Sequence, residues 1–133
     1  MRFYIETDNK IANNPVARSI ARNNLTKAMT HMALRIYSLG HREECADLLH
    51  EAGFILALIG MAAEREPAVG ADHPGVRVIR GALSAVEQMS PSGKWDRTQA
   101  PAIEHGVNTA IDLNRVIKQQ HLIAAWNQIQ EMK

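Results

Sequence analysis

The sequence predicts an all-α fold, a single compact bundle of four or five helices packed around a buried central helix. Three observations carry that expectation. The uncharged run Ala52 to Ala63, AGFILALIGMAA, is apolar on every side of a helix. Four other stretches repeat apolar residues at helical spacing. Proline, glycine and asparagine punctuate the chain between those stretches, at Asn13-Asn14-Pro15, Glu66 to Gly75 and Ser90 to Pro101.

The N-terminal residues 1–12 read as a short extended arm. Phe3 and Ile5 alternate with Arg2, Tyr4 and Glu6, a strand pattern with no partner strand elsewhere in the chain. Such a segment either packs loosely, pairs across a dimer or adds to the sheet edge of another protein. The first helix follows, capped by Asn and opened by Pro15, and is expected to end at Gly40. Its apolar stripe changes phase at Asn23-Asn24. Val16, Ala17, Ile20 and Ala21 form one side; Leu25, Ala28, Met29, Met32, Ile36 and Leu39 form another, rotated by roughly a quarter to a third of a turn. One long helix meeting two different neighbours is preferred here to a break.

The central helix is expected from just after Gly40 to about Arg65. Its first half is amphipathic, with Cys45, Leu48, Leu49 and Ala52 opposite Glu43, Glu44, Asp47, His50 and Glu51. Its second half has no wet face, because Phe54, Leu58 and Met61 continue on the acidic side. Burying each large side chain is worth about 1.5–3 kcal/mol, so these three call for a cover, from another helix of the chain or from a second subunit. The run is too short to span a bilayer, which takes roughly 20 apolar residues. Gly53 and Gly60, seven residues apart, either admit a close helix crossing or sit in ordinary core packing.

Asp72 or His73 with Pro74 opens a third helix with a one-face pattern, Val76, Ile79, Leu83, Val86 and Met89, which stops at Ser90-Pro91-Ser92-Gly93. In the following loop Trp95, flanked by charges, either anchors the loop or meets a partner. The last helical region starts near Pro101 with Ile103, Val107, Ala110, Ile111 and Ile117. Leu122, Trp126 and Ile129 lie on a shifted side, so a turn near Lys118 to Gln120 is expected, and a final helix from about Gln119 to Met132 that packs like a clasp.

With 133 residues and 46% hydrophobic content, residues 1–133 form one domain with one core. Net charge is +1, unevenly spread. Residues 1–42 carry seven Lys and Arg against two acids, a net +5; residues 43–72 carry one Arg against seven acids, a net −6. Opposite charge on neighbouring helices orients them or presents a dipolar surface. Cys45 is the only cysteine, so no internal disulfide forms and a reducing compartment is indicated. The opening MRFYIETDNK is not read as a signal peptide, and a cytoplasmic location with no membrane partner is expected.

No catalytic, metal or cofactor signature stands out. Asp47-x-x-His50 has the spacing of half a carboxylate-bridged metal site, but no second pair accompanies it. His41 and Cys45 are one turn apart and lack the further ligands of a structural zinc site. His50 and His105, beside acidic residues, read as solvated rather than as general bases. Glycine-rich phosphate loops, nucleophile elbows and HExxH are absent. An enzyme is therefore not expected, and no cofactor.

Function is expected to lie in surfaces. Glu43, Glu44, Asp47 and Glu51 are the candidate acidic partner surface, suited to a basic groove. Phe54, Leu58, Met61, Trp95 and Trp126 are candidate oligomer or partner contacts, and a homodimer is expected through the central or terminal helix. These point to a non-catalytic helical protein that binds protein. In size and style the chain resembles the small accessory proteins of phages and mobile elements, which implies binding and inhibition of a host complex; the resemblance rests on no matched motif. The alternative is a nucleic-acid-binding or regulatory protein that uses a basic first helix, with Arg18, Arg22, Lys27 and Arg35 around Asn23, Asn24 and Thr26.

Overall fold

Among the described residues, α-helices follow one another along the chain: α1 (Pro15–Ser38), α2 (Ala46–Arg65), α3 (Pro74–Met89), α4 (Ala100–Asn114) and α5 (Gln119–Glu131). The computed structural model describes residues 15–38 and 46–132, with side chains described over 19–36 and 47–132. The expected arm at 1–12 and the start of the central helix, with His41, Glu43, Glu44 and Cys45, lie outside the described residues.

The apolar run of α2 does become the centre of the molecule. Ala52, Ile55, Leu56, Leu58, Ile59, Ala62 and Ala63 are all buried. Helices α2, α3 and α4 pack on one another, α1 lies chiefly on α4, and α5 packs on α2 and α1. Gly53 and Gly60 face α3, where added Cβ atoms would stand 3.4 Å from Val86 and Ile79 respectively. That is ordinary van der Waals contact, so α3 runs beside the two glycines without depending on them. The close crossing lies elsewhere. On α4, a Cβ at Gly106 would overlap the Cβ of Ala82 on α3.

Helix α1 is one continuous helix through Asn23-Asn24, as expected; the side chains of Val16, Ala17 and Arg18 lie outside the described ones, and of the first stripe Ile20 does not point inward. Leu25, Ala28, Met29, Met32 and Ile36 are buried while Ile20 is 54% exposed. A straight helix has one inward direction along its length, and Ile20 projects more than a third of a turn from the axis of the buried stripe at about 100° per residue.

The ends of the later helices are chemically defined. His73 caps α3, its Nδ1 accepting the Gly75 amide at 2.9 Å, with Pro74 in the first turn. Gln99 at the head of α4 makes no side-chain cap. Asp96 organises the preceding turn instead, accepting from the Thr98 amide (2.9 Å), the Thr98 hydroxyl (2.7 Å) and the Gln99 carboxamide (3.2 Å). These bonds, the Thr98 hydroxyl first, hold its carboxyl below the usual aspartate range. Trp95 is half-buried against the core. The break between α4 and α5 falls at Arg115–Lys118, a few residues earlier than the apolar pattern indicates, because Ile117 is buried from the turn rather than from a helix. No helix among the described residues is long and apolar enough to cross a membrane.

Candidate functional site

The acidic surface shrinks once side chains are placed. Asp47 is exposed, but Glu51 is only 5% exposed, and its carboxylate pairs with Arg35 of α1 at 3.2 Å. Expected on the wet face of the central helix, Glu51 is instead a buried tie between α1 and α2. The reason is that α1 lies against that flank, and a buried carboxylate needs a cationic partner. Asp47 and His50 both stand exposed on α2. Among the described residues, no group of three or more His, Cys, Asp and Glu is placed to hold a metal ion.

Two members of the basic set of α1, Arg22 and Arg35, turn inward in the same way. Arg22 is half-buried and donates to the backbone carbonyl of Asn114 at the end of α4. Burial lowers its pKa from the ordinary arginine value, though a guanidinium stays charged. Beside it the Asn114 carboxamide donates to the Thr26 hydroxyl at 3.2 Å, so the two helices are stitched by a polar patch. Arg35 is committed to Glu51. Lys27 is exposed. Around it, Asn23, Thr30 and His31 are exposed on the outward side, and Leu34 is 66% exposed. With Ile20, the outer face of α1 thus presents Ile20, Lys27 and Leu34 at seven-residue spacing.

The apolar candidates find most of their cover within the chain. Leu58 is buried, and Phe54 and Met61 are half-buried against the core. Trp126 of α5 is buried and meets Phe54 edge-to-face, the ring centroids 5.3 Å apart. This is a favoured aromatic geometry, and it makes α5 the cover that the all-round apolar run calls for.

Glu66 is a residue that sequence reasoning does not single out. It follows α2 directly, is only 3% exposed, accepts from the Lys118 amide at 3.0 Å and the Ala68 amide at 3.4 Å, and stands 3.4 Å from His121 Nε2. The Lys118 bond is the principal cause that keeps its carboxyl below the usual glutamate range; burial works against it, while the Ala68 bond and the positive charges of His121 and Lys118 assist. A glutamate before a loop proline looks like ordinary surface in sequence, since Lys118 and His121, which meet it, lie more than fifty residues away. Asn114, buried at the end of α4, is hidden from the sequence for the same reason.

Comparison with protein-family models, with curated proteins and with solved structures finds no match for this chain.

Proposed function

We propose that this chain acts by binding another protein, through the outer face of α1, and has no catalytic chemistry of its own. One observation carries the reading: among the described side chains of α1, two of the cations point in and two of the large apolar residues point out. A helix that reads nucleic acid must hold its cations toward phosphates. Here Arg22 and Arg35 are bound to Asn114 and Glu51, leaving Lys27 as the outward Lys or Arg among the described side chains, while Ile20 and Leu34 face solvent. A helix that docks on protein needs apolar anchors at i, i+7 and similar spacings with few charges between them. An accessory protein that occupies and blocks a larger complex is the form of this reading that the small chain suggests.

The test is affinity capture from the native host with the full chain, repeated after nuclease treatment and at raised salt, beside an Ile20→Glu/Leu34→Glu variant. Partners should survive both treatments and be lost in the variant, whose far-UV circular dichroism should match the parent because both side chains are exposed. Loss of all captured material on nuclease treatment, reproduced by Lys27→Glu, would transfer the function to nucleic acid.

A further inference from the structure

Helix α5 differs from the other late helices in what holds it. Helices α2, α3 and α4 each run close to the other two, whereas the backbone of α5 comes close to α2 and α1 and not to α3 or α4. Removing α5 would therefore leave the mutual packing of α2, α3 and α4 intact. A helix of 13 residues is marginal alone in water, so α5 depends on its docking. Attachments of α5 among the described residues include Trp126 against Phe54, Arg65 hydrogen-bonded to Gln128, and the Glu66 carboxylate at the head of the helix. The Glu66 contact is the electrostatic one. Lys118, the N-cap residue of α5, supplies no side-chain acceptor of its own. Glu66 takes the Lys118 amide and stands against His121 in the first turn, where a negative charge is favoured by the helix dipole.

We infer that α5 is a clasp that opens as a unit by itself, and that the Glu66 carboxylate is its latch. Opening uncovers the Phe54 side of α2, the most apolar part of the chain, and leaves the three-helix core standing. Local openings of this kind, below the free energy of global unfolding, are an ordinary property of elements with few neighbours. The charged groups that face Glu66 are Lys118 and His121, both on the α5 side; on its own side Arg65 is turned to Gln128 and Glu64 to Arg80. The release requires the proton on Glu66 itself. Because the folded-state pKa lies below the ordinary value, the contribution of Glu66 is fully present above the usual carboxylate range and is lost as the pH falls through the lowered value. The clasp therefore stays shut at neutral and mildly acidic pH and opens in stronger acid.

Hydrogen exchange on the full chain, read separately over α5 and over α3 and α4, tests this directly. In Glu66→Gln at neutral pH the α5 amides should lose at least about tenfold in protection while those of α3 and α4 keep theirs. The two amides are taken by different carboxylate oxygens, Ala68 on Oε1 and Lys118 on Oε2, and a carboxamide has one acceptor oxygen for them. The parent protein, corrected for intrinsic exchange, should show the same division only after acidification below the carboxylate range. A Trp95→Phe background, which leaves Trp126 as the sole tryptophan, gives a second readout: acrylamide should reach Trp126 before far-UV ellipticity collapses. Equal loss of protection across α3, α4 and α5, in the variant or in the acidified parent, would show that α5 does not open alone. Unchanged α5 protection in Glu66→Gln would show that Glu66 is not the latch. Should the variant not fold, the acid series on the parent decides between the same outcomes.

Discussion

At the scale of single residues, helix packing here is decided by which glycine has no room. Gly53 and Gly60 draw attention in the sequence because both interrupt the central helix, yet Cβ atoms there would make normal contacts at 3.4 Å. Gly106 draws none, sitting among Ile103, Val107 and Ala110, but it lies buried at the point where α4 meets Ala82 of α3. A small residue on one helix is informative only beside the residue it faces on another, and a single sequence does not pair them. Gly81 is the opposite case, exposed within α3, with open space where a Cβ would stand. Adding a methyl at Gly106 forces the two helices apart, and overpacking of that kind costs about 1–3 kcal/mol. At Gly81 it meets nothing, and the helical propensity gained is about 1 kcal/mol. Urea denaturation should accordingly show Gly106→Ala less stable than the parent and Gly81→Ala more stable; equal effects would mean that the α3–α4 crossing is looser than it stands.

At the scale of elements, legibility follows from how much of each helix is decided by its own residues. Helix α3 is legible in sequence nearly to the residue, because a one-face apolar pattern, a capping His73-Pro74 and a Ser-Pro stop all lie within it. Buried Ala82 and Ala85 add to the stripe that Val76, Ile79, Val86 and Met89 announce. Helix α1 is legible in its continuity and not in its orientation, since its apolar pattern changes phase and only the placement of α4 shows that Leu25, Ala28, Met29, Met32 and Ile36 face inward while Ile20 does not. The ties Arg22–Asn114, Arg35–Glu51 and Glu66–Lys118 join positions far apart in sequence, and no local spacing foreshadows them. For that reason the acidic and basic surfaces read from the sequence each lose members to internal contacts. The cap of α3 can be tested on its own. His73→Ala should destabilise the protein by about 1 kcal/mol, the usual loss on removing an N-cap acceptor, whereas His73→Asp should retain or improve stability. Thermal melting at neutral pH distinguishes them, and identical melting of the parent and the alanine variant would remove the cap from the account of α3.

For the whole molecule the pattern of charge and the pattern of apolar exposure bear on the same question, whether the chain stands alone. The opposed charges of residues 1–42 and 43–72 are used at least once to set helices against each other, in Arg35–Glu51, and the acidic end of α2 meets α3 through Glu64 and Arg80. The expectation of a homodimer draws on Phe54, Leu58 and Met61 needing a cover, and α5 with the core supplies most of it. The large apolar side chains that remain exposed among the described residues, Ile20, Leu34, Val116 and Met132, are spread over α1, the α4–α5 turn and the C-terminal end. A stable dimer buries about 800 Å² on each partner with a contiguous apolar centre, and dispersed single residues do not make one. On the described residues, sedimentation velocity at micromolar concentration should give one species of 14.8 kDa. A species of twice that mass would overturn this, and its response to substitution would say how. Dissociation by Ile20→Glu/Leu34→Glu would make the α1 face a self-association surface, while insensitivity to that change, together with altered exchange over α5, would mean that the clasp is traded between two copies.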